Sequence, residues 1–314
     1  MVGKPPTVNR GVPITNHQSP TTRERALSLS RSVFDFLRTS HAGTVLATFQ
    51  RSCYLDLDGR IVALVAPDLL NGPLNILITV PAESAFDRLP VGTVVRSTRE
   101  WLTIDGALEV SLPGADVWEA RIGRWQDSKA DALRAHARVV RQVLGSKAPG
   151  DSVALYLATL DDISSTENAS GPERTRLAMA LLRDGLRHRD SETVKKGAQR
   201  LAGLGQGLTP SGDDVLAGTL VALTVNPINV AEQLRAVITE AAIGRTTRIS
   251  TAYLEAAARG EANEAWHHLL AAMVHDDPAP LLAATRRVMA FGETSGADML
   301  AGFLLALDAF FEAN

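Results

Sequence analysis

The stretch GLGQGLTPSGDDVLAG, residues 203–218, decides how this chain is read. Three glycines, a proline, two hydroxyl residues and two adjacent aspartates stand directly before an apolar run. Gly and Pro interrupt regular structure, and the apolar run has the small and aliphatic residues of a buried helix. The segment returns once. SGDDVLAGTLVAL (211–223) and SGADMLAGFLLAL (295–307) agree at nine of thirteen positions. Two copies do not make a solenoid. They predict two helices placed equivalently about a pseudo-twofold axis. Gly218 with Ala222, and Gly302 with Ala306, put small residues four apart on one face, where a second backbone can approach closely. Leu216, Leu220 and Leu223 fill another face, so both helices are expected to be buried nearly all round.

On both sides of residues 203–218 the pattern stays helical. Residues 174–188, 191–203, 213–225, 229–244, 249–260, 263–275, 280–292 and 297–311 read as eight helices, many Ala- and Leu-rich, with Gly at or near their ends. Upstream of the polar linker SSTENASGPE (164–173) the period changes. Residues 44–65 alternate around Asp58-Gly59, a hairpin signal, and 92–112 alternate around Asp105-Gly106, a second one. NILITV (75–80) and VALYLATL (153–160) read as strands. Residues 127–145 read as a helix with Asp127 as N-cap, and residues 23–39 as a helix carrying Leu27, Val33, Phe34 and Leu37. The fold class expected is α+β. A mostly antiparallel β domain with helical cover (23–165) follows a mobile tail (1–22) and precedes an all-α domain (170–314) containing the duplicated Ser-Gly-x-Asp loop–helix.

Composition narrows the function. A formal net charge of −3 gives no general attraction to nucleic acid or anionic membrane. The single cysteine, Cys53, can form neither an internal disulfide nor a thiolate zinc site. No apolar stretch has membrane-spanning length, and the polar start lacks the hydrophobic region of a secretory signal. A cytoplasmic protein is the expectation.

The Gly-rich loop admits a structural and a functional reading. Ser211 with Asp214, and Ser295 with Asp298, have the spacing of capping boxes, with each serine as N-cap and each aspartate reaching back. Capping does not require Asp213, whose counterpart is Ala297, nor Gly203, Gly205, Gly207, Thr209 and Pro210. Extra glycines before a helix allow backbone to approach a ligand, with the helix-start amides at Ser211 and Gly212 facing it. Carboxylates there would repel a phosphate unless one holds Mg²⁺ or handles a proton. Asp213, with Asp214 beside it, is therefore the candidate metal ligand or proton carrier, and Mg²⁺ is the one cofactor suggested.

In GRTTRIS (244–250), Arg245 and Arg248 are suited to grip a carboxylate or phosphate, with Thr246, Thr247 and Ser250 adding hydroxyls; a plain helix connection capped by Thr247 or Ser250 explains the same residues. His41 suits a surface loop or a general base at a domain seam, GPLNI (72–76) either a turn or a backbone approach to a ligand, and Cys53 a packed small hydrophobe. His267 and His268 point to different helix faces, and the seven histidines show no zinc spacing.

Taken whole, GLGQGLTPSGDDVLAG closely resembles the signature of the AllH-type subunit family of oxamate carbamoyltransferase, known from anaerobic allantoin breakdown. TTRIS, YLEAAARG, SGADMLAG and GPLNI add to the resemblance. It implies a subunit that works beside an acyl-CoA-synthetase-like protein and a further chain. The implied reaction is phosphorolysis of a ureido acid, oxalurate plus phosphate giving oxamate and carbamoyl phosphate, so the small-molecule partners would be an anionic substrate and phosphate. Laid on the motif, physical reasoning makes Asp213, Asp214, Ser211 and Asp298 the catalytic candidates. Gly205, Gly207, Thr209, Gly212, Arg245, Thr246, Thr247, Arg248, Ser250, Ser295 and Gly296 are the substrate-binding candidates, with helix-start amides at 211–214 stabilising a tetrahedral oxyanion. Two other readings stay open. SGADMLAG faintly resembles the ADP-ribosylglycohydrolases, which would make the chain a Mg²⁺-dependent hydrolase, although the expected paired acidic motif is missing at 296–298. A non-catalytic partner-binding subunit is the other. All of the readings require the loop at 203–212, the connection at 244–250 and the helix start at 295 to be compared in space: convergence favours an enzyme, and separation leaves only a folding role.

Overall fold

The computed structural model describes residues 22–79, 86–125, 130–160, 171–226, 228–275, 277 and 279–312. The expected tail except its last residue, the Asp127 cap and most of the 164–173 linker lie outside the described residues.

The first half is a closed, mixed eight-stranded barrel. Its strands are β1 (Thr22–Ser30), β2 (His41–Thr48), β3 (Ser52–Leu57), β4 (Arg60–Val65), β5 (Asn75–Ile78), β6 (Val94–Ser97), β7 (Trp101–Ile104) and β8 (Leu108–Ser111). They run in the order β5-β4-β3-β2-β6-β7-β8-β1, and β1 pairs back onto β5 to close the ring. A short ninth strand, β9 (Asp116–Trp118), extends the β8 side of β1. Among the described strands only β1–β8, β1–β9 and β4–β5 run parallel. Both expected hairpins form, at Asp58-Gly59 and at Asp105-Gly106. Alternate residues fill the barrel, among them Leu55, Leu57, Val62, Leu64, Ile76, Ile78, Val95, Leu102 and Val110. Closure leaves no long exposed edge, which removes the usual route to edge-to-edge pairing.

Two expectations fail in instructive ways. Residues 23–39 are not one helix: β1 occupies 22–30 and a short helix, α1 (Arg31–Phe36), follows, capped by the Ser30 hydroxyl accepting from the Val33 amide. Leu27, counted toward a helical stripe, is 44% exposed, while Ala26 and Ser28 on either side are buried, a strand's period. Pairing on both edges of β1 overrides the helical pattern. VALYLATL is not a strand either. Val153–Thr159 winds as a 3-10 helix, capped by Ser152. An apolar run this short fits strand or helix equally, and here it packs against helices.

The second half is helical throughout, as expected. It comprises α3 (Gly171–His188), α4 (Ser191–Leu201), α5 (Ser211–Val225), α6 (Ala231–Ala242), α7 (Arg248–Ala258), α8 (Glu264–Met273), α9 (Ala279–Met289) and α10 (Ser295–Glu312), and α2 (Ala130–Lys147) packs into the same core. The duplicated helices α5 and α10 cross at its centre. A Cβ on Gly218 would lie 1.8 Å from the Met299 carbonyl oxygen, and one on Gly302 would lie 1.9 Å from that of Val215. Met299 and Val215 occupy matching places in the two copies, so the contact is reciprocal and the pseudo-twofold relation is real. The preceding units match too: Gly212 abuts the Leu201 carbonyl of α4 and Gly296 the Val288 carbonyl of α9. Between those anchors the first copy has three more residues than the second, and Gly205, Gln206 and Gly207 lie in that longer loop. Among the described residues, no helix is long and apolar enough to cross a membrane.

Candidate functional site

The barrel and helices meet along a seam. Ala262 and Ile122 amides donate to the Ala120 and Gly260 carbonyls, at 2.9 Å each, and Asn71 Nδ2 donates to Glu264 at 2.9 Å. Ile61 and Leu74 of the barrel pack with Ile249 of α7 and with Leu208 of the Gly-rich loop. Within the seam lies a cavity of about 410 Å³, large enough for a small metabolite.

Three separate stretches of sequence converge at this cavity. Gly203, Gly205 and Gly207 all adopt positive φ, which lets the loop fold back tightly. Its shape is fixed from the 244–250 connection: Thr247 and Ser250 hydroxyls both donate to the Leu208 carbonyl, at 2.6 and 3.2 Å, and Thr247 also caps α7. The Thr209 hydroxyl meets that of Ser295 at 3.1 Å, which joins the loop to the start of α10. The amides of Gly205, Gln206, Gly207, Leu208 and Thr209 donate to no acceptor among the described residues.

The capping boxes do not form as expected. The Pro210 carbonyl accepts from the Asp213 and Asp214 amides, so α5 starts with Pro210 as N-cap and no side-chain cap. Ser211 is then the first helical residue. Ser211 and Asp214 are released from capping, and each serine serves the other repeat. The Ser295 hydroxyl approaches the Asp214 carboxyl, and the Ser211 hydroxyl approaches that of Asp298.

The two aspartates of the loop differ in kind. Asp213 spends both oxygens on the protein: Oδ1 accepts from the Gly203 amide at 2.9 Å and Oδ2 from the Thr246 hydroxyl. It clamps the loop to the 244–247 turn. Asp214 is 6% exposed and its Oδ2 has no hydrogen-bond partner. Burial raises its pKa well above the ordinary value; Ser295 opposes the rise, and the nearby Asp298 and Asp213 carboxyls add to it. Beside it stand Tyr54 of β3 and Tyr253 of α7, hydroxyls 3.4 Å apart, both held protonated by burial first.

Two further residues of the lining carry a buried polar atom without a partner among the described residues: Asn75, from the barrel, at Oδ1 and Trp266, from α8, at Nε1. Neither residue is marked by the sequence pattern, nor are Tyr54 and Tyr253. Asn75 lies in GPLNI, whose backbone does reach the cavity through Gly72 and Pro73. Trp266 and the tyrosines look like core residues in sequence, and only their polar ends distinguish them.

Other expected site residues fall elsewhere. Arg248 is 53% exposed and clasps Asp56 of the barrel, and Arg245 is exposed; neither lines the cavity. Gly205, Gly212 and Gly296 do not line it either, the last two being spent on close helix packing. Asp298, in the first turn of α10, is buried and does not line the cavity; its Oδ1 accepts from the Ser152 hydroxyl at 2.6 Å and the Val153 amide at 2.9 Å. Among the described residues, no three His, Cys, Asp or Glu side chains cluster as metal ligands. His41 stacks on Phe36 and meets Asp58 at the barrel surface. Burial pushes the Cys53 thiol up to about 12, so it packs as an inert hydrophobe.

A barrel joined to a two-copy helical bundle, with a desolvated carboxyl in the lining of a cavity between them, makes an α+β protein. Residues 201–307 match the family described as oxamate carbamoyltransferase subunit AllH, and residues 25–117 match the AllH family N-terminal domain. The two matches cover well over half of the chain, in the order in which barrel and helices occur, and the chain belongs to the AllH family. No solved structure matches it.

Proposed function

We propose that this chain supplies the substrate cavity of an oxamate carbamoyltransferase-type enzyme, in which a carbamoyl group passes between an oxalurate-like ureido acid and phosphate. The family description is that of a subunit; in this reading further chains complete the enzyme, an acyl-CoA-synthetase-like protein among them. In the proposed step a phosphate oxygen attacks the carbamoyl carbon and the bond from that carbon to the internal nitrogen breaks. Carbamoyl phosphate forms, and oxamate leaves with a proton on its amide nitrogen, replacing the one phosphate gives up.

The single observation that carries this reading is Asp214, a buried carboxyl with an unpartnered oxygen in a residue that lines the cavity at which three separate motifs of this sequence meet. A carboxyl whose pKa is raised holds a proton at higher pH than usual and can relay it to the leaving nitrogen. The unpaired amides of Gln206 to Thr209 suit the oxyanion or the phosphate at the open side. Asp213 acts as a positioning residue, holding that loop through Gly203 and Thr246.

The test is carbamoyl phosphate formation by the assembled enzyme. Replacing Asp214 with Asn in this chain is expected to lower kcat by about 10²-fold or more, the usual worth of a positioned acid–base group. Unchanged kcat would remove Asp214 from the chemistry and place the reacting site elsewhere.

A further inference from the structure

The two copies of the loop–helix unit are not equally occupied. In the second copy, Asp298 is met by the chain itself: the Ser152 hydroxyl and the Val153 backbone N–H both donate to Oδ1. In the first copy no backbone comes to Asp214. The cavity stands in that place; among the described residues Oδ2 of both aspartates lacks a partner, so the difference between the copies is the backbone donor that Asp298 has and Asp214, only 6% exposed, does not. A buried polar atom without a partner costs about 1–3 kcal/mol unless something in the working protein satisfies it. Asp298 thus displays what its twin lacks, an amide N–H donated to the carboxyl.

The rest of the lining agrees. Three residues that line one volume each carry a buried side-chain atom without a partner among the described residues: Asp214 Oδ2, the Asn75 Oδ1 acceptor and the Trp266 Nε1–H donor. Together they match a planar group that both donates and accepts. Among the described residues no Lys, Arg or His lines the cavity, whereas four carboxyl residues do, Asp213, Asp214, Glu261 and Glu293. An anion entering there would lose its hydration and meet no cation.

We infer that the cavity is a binding site for an uncharged primary amide or urea-type group, whose N–H is received by Asp214 in the manner of Val153 on Asp298, while anionic groups stay outside it. This deepens and rests on the carbamoyl-transfer reading, since it assigns the neutral end of the substrate to this chain. Phosphate and the acid's carboxylate are held at the mouth or by another subunit.

The test uses three small probes of nearly one shape: acetamide, acetone, which lacks the N–H, and acetate, which carries charge. Saturation-transfer NMR on the full chain needs no turnover, so its result is independent of the activity test. Acetamide is expected to bind, with acetone and acetate weaker by about tenfold, the value of one buried hydrogen bond or more. Asp214→Val should abolish acetamide binding, and Trp266→Phe should weaken it by a few-fold if the first variant does not fold. Acetate binding as well as acetamide, acetone binding as well as acetamide, or no acetamide binding at all would each overturn the inference. If acetamide binds as expected while Asp214→Asn leaves kcat intact, the site stands and the catalytic reading fails.

Discussion

Asp214→Asn is expected to stabilise the protein at neutral and higher pH, and the effect follows from the structure. Burial, with Asp298 and Asp213 nearby, raises the folded-state pKa of Asp214 well above its unfolded value of about 3.9. The folded state therefore binds the proton more tightly than the unfolded chain. Below about pH 4 the carboxyl is protonated in both states and its effect on stability is fully favourable. As pH rises toward the folded-state pKa, the unfolded chain releases its proton first and the native state loses stability. Once the pH is above both values, the loss is about 1.4 kcal/mol for every tenfold difference in proton affinity between the two states. Asparagine keeps the shape and carries no such cost. The variant should therefore gain about 1.4 kcal/mol for each such tenfold difference, or roughly 3 °C in Tm for a chain of this size. Urea unfolding of wild type and variant from about pH 4 to pH 8 gives the difference directly. The two should coincide near the acid end and diverge upward. A variant that is less stable at the upper end, or a difference that does not change with pH, would mean that Asp214 is a satisfied structural carboxylate. Stability gained and kcat lost in one substitution would mark a group kept for function at the fold's expense.

The other expectations concern the frame of the site. Gly218→Ala or Gly302→Ala forces a methyl to within 2 Å of a facing carbonyl oxygen, so chemical denaturation should show a loss of about 3 kcal/mol or failure to fold. Asp298→Ala strands the Ser152 hydroxyl and the Val153 amide and should cost about 1–3 kcal/mol for each, in contrast to the gain at Asp214. Thr246→Val leaves one oxygen of Asp213 unpaired; hydrogen exchange across 203–209 should quicken, with a stability loss of about 1–3 kcal/mol. Arg248→Ala removes only an exposed clasp to Asp56, so stability should fall by less than about 1 kcal/mol, with KM for the ureido acid nearly unchanged.

The duplicated helix is readable in full from the sequence, because identity at Gly218 and Gly302 reports a close backbone approach that no other residue allows. The eight helices and both hairpins follow from period and turn residues, which are local signals. Barrel closure is not readable: it depends on β1 pairing with β5, β8 and β9, three partners distant in sequence, and its alternation is blurred by Leu27. At the site, residues of the motif line the cavity, but its spacing suggests caps that do not form. Ser-x-x-Asp looks like a capping box in either copy, yet Pro210 begins the helix early and the serines cross to the opposite repeat. Asp213 stands out because Ala297 replaces it, and that asymmetry reports a clamp on the longer loop. The arginines of GRTTRIS attract notice by their charge, and their hydroxyl neighbours hold the loop instead. Asn75 and Trp266 reach the cavity only through the assembled seam.

The most direct measurement is an experimental structure of the assembled enzyme with a ureido acid bound. The account predicts density in the seam cavity, with the terminal carbamoyl nitrogen within hydrogen-bond distance of Asp214 and the acid's carboxylate directed outward. Density over Arg245 and Arg248, or within another subunit while this cavity remains vacant, would contradict it.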